Sequence, residues 1–196
     1  ESRLVWCEIN GAGNTGNLRA AGTSLFLDHV TFTNTTSQLV SADDTSITVR
    51  NCVFPTINSD ELLRFHGMPP FGHAVIEGCV FGTTTGDLDI LDVSGGKRPG
   101  PIIQILNNTF TGAGDDVLDL AGTDAHIEGN VFANVRQNAV RPGTANAIAT
   151  SANSGQVSDL MICRNLFYHV DHALLLRDSS RAVLQNNTIV NVSDSP

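Results

Sequence analysis

Lysine is nearly absent: Lys97 stands alone in a chain of 196 residues with net charge -9. Without a basic face nothing neutralises a phosphate backbone, so nucleic acid is not expected as a partner. Charged residues make up only 16 % of the chain, and Trp and Tyr occur once each. No apolar run approaches the roughly 20 residues of a membrane span, so membrane insertion is not expected either. Helical periodicity is missing throughout, which removes helical bundles and alternating α/β folds. The four cysteines, Cys7, Cys52, Cys79 and Cys163, show no CxxC or Cys/His metal spacing. HExxH, GxSxG and P-loop motifs are absent too: GGKRPG at 95–100 lacks the upstream glycine and the following Ser/Thr. A literal GxGxxG does occur at Gly11, Gly13 and Gly16 after the strand-like ESRLVWCEI, but no helix or βαβ unit follows it. It reads as a glycine-rich turn.

What is there is a repeat. The segment from Ile102 to Val135 reads as strand, Asn-Asn turn, Phe110, an acidic corner, a second strand, a turn and the next strand with Phe132. The same punctuation recurs at Phe32, Phe54, Phe81, Phe110, Phe132, Phe167 and Ile189, at steps of 22, 27, 29, 22, 35 and 22 residues. Five residues before each stands an aliphatic residue: Leu27, Val49, Ile76, Ile105, Ile127, Ile162 and Leu184. Two residues before each stand Val30, Cys52, Cys79, Asn108, Asn130, Asn165 and Asn187, a column that predicts an asparagine ladder at a tight, left-handed corner. Stacked coils put Cys52 and Cys79 about 4.8 Å apart, a distance open both to a disulfide and to two buried thiols. A second strand follows each aromatic by about seven residues, headed by a polar column of Gln38, Asp60, Asp87, Asp116, Asn138 and His172.

Short strands at regular spacing, each coil burying its face only against its neighbours, predict a parallel β-solenoid. The expected fold is all-β: a single-stranded right-handed parallel β-helix of about seven coils of 22 or more residues, forming one domain over 1–196. Residues 1–23 form a lead-in strand and turn, and 24–192 form the coils. Three insertions, 64–73, 94–101 and 141–158, leave the end of the second strand and so emerge along one edge, where solenoids often bind ligands. The missing leader and the uncapped last strand suggest a mature or excised segment of a longer secreted protein with flanking domains.

The stretches DDVLDLAGTDAHIEGNVF, GGKRPGP and NLFYHVDHALL with NNTIV resemble the β-helix segments of large bacterial surface proteins that also carry lamin-tail and spore-coat-kinase-type domains. The resemblance implies a pectin-lyase-like β-helix and a secreted or cell-surface setting. That group includes polysaccharide lyases, hydrolases, epimerases and carbohydrate-binding modules, so the fold does not choose the activity.

The chemistry centres on acidic residues. Asp115, Asp116 and Asp119 form DDxxD, and Asp87, Asp89 and Asp92 occupy the preceding coil. Stacking is expected to bring Asp87 beside Asp116 and Asp89 near Asp119. Either Ca2+, a hard ion that takes six to eight oxygens, offsets that charge, or the aspartates cap strand ends and stay solvated. The DDxxD pattern is similar to the one by which one family of β-helical pectate lyases holds catalytic calcium. The resemblance implies Asp115, Asp116 and Asp119 as ligands, with Asp87 joining from the coil before. It also implies β-elimination from an acidic polysaccharide by a basic side chain.

Arg141, one minimal coil after Asp119, is the favoured base, with Lys97 and His172 as further catalytic candidates. Arg64, His66, Phe71, His73, Arg98, Tyr168 and Arg177 are candidate substrate contacts; Phe71 has the flat face to stack on a sugar ring. Hydrolysis by paired carboxylates is the rival chemistry, although the GHG and RIK-type motifs of polygalacturonase-like enzymes are missing. From a different class comes a non-catalytic glycan-binding or spacer module with capped, solvated aspartates.

Overall fold

The computed structural model describes residues 1–11, 18–136 and 145–193. Every regular element among them is a β-strand, and every pairing between strands is parallel. Two sheets hold the strands. The short sheet has six, in the order Leu18–Ala21, Val40–Asp43, Leu63–His66, Leu91–Ser94, Asp116–Ala121 and Asn146–Ser151. The long sheet has fourteen: two arms of six that share the strand Ser24–Thr33, and the strand Ser2–Asn10, which pairs with that shared strand off the path. One arm runs through Ser46–Arg50, Ala74–Glu77, Ile103–Leu106, Ala125–Glu128, Asp159–Cys163 and Arg181–Gln185. The other runs through Val53–Phe54, Val80–Phe81, Thr109–Phe110, Val131–Ala133, Leu166–Tyr168 and Thr188–Val190.

The aliphatic and aromatic columns explain this register. Val49, Ile76, Ile105, Ile127 and Ile162 are cross-strand partners in succession and are wholly buried, because alternation along each four- or five-residue strand sends them to one side. Phe32, Phe54, Phe81, Phe110, Phe132 and Phe167 stack face to face with centroids 4.7 to 5.1 Å apart. That spacing is the rung spacing of a sheet. Parallel register, rather than any preference of the rings for one another, therefore sets the stack. Leu184 and Ile189 continue the two columns but are each 46 % exposed, since no further described rung covers them.

The asparagine ladder is present. The Nδ2–H groups of Asn108, Asn130 and Asn165 donate to Oδ1 of Asn130, Asn165 and Asn187, each at 3.0 Å, and also to the buried carbonyls of Ile76, Ile105 and Ile127. Each Oδ1 also accepts the backbone N–H one rung back, at 2.9 Å. Buried amides are thereby satisfied on both sides. The corner geometry differs from expectation in one respect. The left-handed residues are those just before the ladder, namely His29, Asn51, Gly78, Asn107, Gly129, Arg164 and Asn186, with φ between 51° and 68°. The ladder asparagines keep ordinary backbone and spend their side chains on the interior instead.

Cys52 and Cys79 fill the first rungs of the same ladder as free thiols, not as a disulfide. The Cys52 N–H donates to Cys79 Sγ at 3.4 Å, and the Cys52 thiol donates to the Arg50 carbonyl at 3.1 Å. Most of the glycine-rich turn at 11–16 lies outside the described residues.

Candidate functional site: a buried carboxyl column

The short sheet carries the acidic residues, and its register corrects the expected column. Leu63, Leu91, Leu118 and Ile148 are partners in succession. Two residues before them stand Glu61, Asp89, Asp116 and Asn146, and His172 bridges Asn146. Asp89, not Asp87, therefore faces Asp116, and the Asp116 N–H donates to Asp89 Oδ1 at 2.9 Å. Asp92, not Asp89, faces Asp119. The reason is corner length: ten residues separate Phe81 from its strand's Leu91, whereas eight separate Phe110 from Leu118. Asp87 falls in the longer corner and is exposed. Glu61 likewise replaces Asp60, and Asn146 takes the place expected for Asn138, which lies outside the described residues.

Burial makes this column chemically unusual. Desolvation, followed by the charge of Asp116, pushes the Asp89 carboxyl up to about 9. Asp116, only 5 % exposed, is pushed up to about 7 by desolvation and by Asp115 and Asp119, against the hydrogen bond that Asn146 Nδ2 donates at 2.6 Å. Asp119 is raised by desolvation and by Asp92. Glu61 is raised to about 7 by desolvation and its neighbour Asp60. Like carboxylates out of water cannot all ionise unless protons or a cation offset them. Three buried polar atoms here also lack a hydrogen-bond partner: Asp119 Oδ1, Asn146 Oδ1 and His172 Nδ1. Unpaired groups of that kind are costly unless water or a ligand satisfies them.

Above the column, on the outer face of the short sheet, Arg64 and Asp92 are register partners 3.4 Å apart. Arg64 Nε–H donates to His66 Nε2 at 3.0 Å, and His66 lies 3.6 Å from Asp92 and 3.9 Å from Asp43. Arg177 is exposed, donates from Nε to the Thr150 carbonyl at 3.0 Å, and its charge acts on both Asp116 and Asp119. Arg64, His66, His172 and Arg177 are thus gathered with the carboxyl groups on the short sheet.

Other expected residues do not join them. Ala149 occupies the rung after Asp119, where Arg141 was expected; Arg141 itself lies outside the described residues. The Lys97 ammonium is bonded to Asp124 and to the Val157 carbonyl, and Arg98 pairs with the same carboxylate at 3.2 Å. Burial pushes the Asp124 carboxyl up, but the hydrogen bonds from Lys97 and from the N–H groups of Arg98 and Asp159 outweigh it and hold it below the ordinary value. Lys97 and Arg98 thereby pin the second insertion to the sheet. Phe71 is fully exposed, and the His73 carbonyl accepts the Ile47 N–H at the start of a long-sheet strand. Tyr168 ends a long-sheet strand beside His169, which bonds Asn134 at 3.0 Å. Asp115 heads the column, and its N–H donates to the Leu88 carbonyl at 3.2 Å.

No family model, curated protein or solved structure matches this chain. Fold and site together define an all-β protein of parallel sheets with a partly buried carboxyl column crossing successive strands of one of them.

Among the described residues the carboxylate oxygens of this column do not converge as three or more donors within 4.8 Å of one another. Asp89, Asp116, Asp119 and Asn146 offer oxygens only, and two of those oxygens are buried without a partner. Ca2+ takes such ligands at about 2.3 to 2.6 Å. Counting from the phenylalanine set Asp89 against Asp119 instead of Asp116, gave Asp92 no partner and left Asn146 out; counting from the aliphatic column Leu63, Leu91, Leu118 and Ile148 places all three.

Proposed function

We propose that the chain is one right-handed, single-stranded parallel β-helix of the pectin-lyase-like kind, working outside the cell as a cation-dependent binder of acidic polysaccharide. Three parallel faces with column-by-column register support the solenoid, and right-handed crossovers prevail in about 98 % of parallel connections. The observation that carries the function is the pair of unpartnered oxygens, Asp119 Oδ1 and Asn146 Oδ1, beside carboxyls that burial has pushed toward neutrality. Holding Ca2+ would require the side chains of Asp89, Asp116, Asp119 and Asn146 to draw closer than they now stand, since their carboxylates form no group of donors within 4.8 Å of one another, with Asp115 adding charge beside them. A bound Ca2+ would supply a positive site that both relieves the cluster and accepts a uronate carboxylate. Arg64, His66 and Arg177 flank that site with hydrogen-bond donors suited to sugar hydroxyls and carboxylates.

A second reading, β-elimination, rests on Arg177, which is exposed and whose charge acts on Asp116 and Asp119. Arg177, once it has given up its proton to solvent, would take the proton α to the uronate carboxylate while the C4–O bond breaks and water protonates the departing sugar oxygen, leaving a C4–C5 double bond on the product sugar. His66 and His172 are the other candidates for that base.

The test is calorimetric titration with Ca2+, then with polygalacturonate and alginate in Ca2+ and in chelator. The binding reading expects polymer binding that chelator abolishes and that Asp116→Asn with Asp119→Asn loses. Unsaturated-product absorbance that disappears in Arg177→Ala would favour elimination. Absence of any Ca2+ binding would overturn both.

A further inference from the structure

The long sheet brings together three side chains of a different chemistry. In the strand Ala125–Glu128 the inward residues Ala125 and Ile127 are wholly buried, so His126 and Glu128 share its outer face. Cys163 closes the neighbouring strand Asp159–Cys163 as the register partner of Glu128, and is 6 % exposed. Their donor atoms converge. Cys163 Sγ lies 3.5 Å from His126 Nε2 and 3.4 Å from Glu128 Oε2, and those two atoms are 2.8 Å apart.

We propose that His126, Glu128 and Cys163 form a binding site for a borderline-soft divalent ion, with Zn2+ as the type case. The distances carry the proposal. Tetrahedral zinc has bonds of about 2.3 Å to sulfur and about 2.0 to 2.1 Å to nitrogen and oxygen, which places sulfur about 3.5 Å from each of the other two donors. Both sulfur edges already have that length. The nitrogen–oxygen edge, now a hydrogen bond, opens by about half an ångström to reach its tetrahedral value of about 3.3 Å. The mixed nitrogen, oxygen and sulfur donor set suits zinc and not a hard cation.

The surroundings fit a metal site. The Arg164 guanidinium bonds the other oxygen of Glu128, Oε1, and leaves Oε2 aimed at the cysteine and histidine. A partner on the outer oxygen is how ligating carboxylates are usually held in place. The thiolate and carboxylate together match the charge of a dication. Binding releases the thiol proton to solvent. The His126 and Glu128 side chains are 35 % and 25 % exposed, so the ion has an entry path and its fourth position faces water. Met161, the register partner of His126, lines a neighbouring groove of about 490 Å3 with Arg98 and Val183.

Metal-stripped full-length protein titrated with Co2+ tests this. The expected result is one equivalent bound, with a thiolate-to-cobalt charge-transfer band that Zn2+ bleaches. Cys163→Ser should abolish the band, and His126→Ala should weaken Zn2+ binding at least tenfold, each with an unchanged far-ultraviolet β signal. Cys7→Ser, at the half-buried cysteine, should leave the band as it is. Because Cys163→Ser keeps the size of the side chain, loss of the band without loss of fold separates ligation from packing. No charge-transfer band, or one that survives in Cys163→Ser or at full affinity in His126→Ala, would overturn the site.

Discussion

Replacing Asp116 by Asn in calcium-free protein should remove a specific pH dependence of stability. The wild-type carboxyl is 5 % exposed and pushed up to about 7 from an ordinary value of 3.8. The folded protein therefore holds this proton more tightly than the unfolded chain does. Stability is greatest below the unfolded value and falls as pH rises, with the loss complete once pH passes about 7. A displacement of about three units at about 1.4 kcal/mol each makes the loss about 4 kcal/mol. Asp89 adds to it in the same direction, because part of its own rise to about 9 comes from the Asp116 charge. The asparagine variant has no proton to lose at this position, and its amide oxygen still accepts from Asn146 Nδ2. Urea unfolding in chelator at pH about 4 and about 8 should show wild type losing several kcal/mol that the variant keeps. Saturating Ca2+ should flatten the wild-type curve, since binding to the folded state at about a hundredfold excess over Kd stabilises by about 2.7 kcal/mol. Parallel stability curves for the two proteins across this range would refute the burial account of the column.

Three further outcomes are expected. Asn130→Ala removes an amide that accepts from Asn108 and donates to Asn165 and the Ile105 carbonyl, so urea unfolding should show a loss of about 3 kcal/mol or more from groups left unpaired in the core. Ile127→Ala, at a wholly buried rung, should cost about 2 to 5 kcal/mol in the same assay without altering the far-ultraviolet signal. Asp124→Ala strands Lys97 and frees the second insertion; a loss of about 3 kcal/mol and faster proteolysis near 94–101 are expected, and wild-type resistance would show that the ion pair does not hold that loop.

Much of the interior was legible in the chain because its columns are periodic and tolerate one chemistry each. An inward position stacked on identical neighbours has to be aliphatic, aromatic or a self-pairing amide, so Leu27 to Ile162, the phenylalanines and Asn108 to Asn187 could be aligned from spacing alone. The parallel strands, and the absence of helices among the described residues, follow from the same pattern. Choosing the functional residues required more. Phenylalanine spacing fixes the long sheet, but the corners leading to the short sheet differ in length, and a two-residue difference exchanges Asp87 for Asp89 across from Asp116. Only strand pairing resolves that count. It also places Ala149, rather than Arg141, after Asp119, and shows Lys97 bound to Asp124, sixty residues from the Val157 carbonyl that it also contacts. His126, Glu128 and Cys163 carry no sequence signal, because their proximity comes from pairing across 35 residues and not from any local spacing. Local periodicity thus determined which residues face inward. Which outward residues meet was decided by the lengths of the corners, and those are set only when the rungs stack.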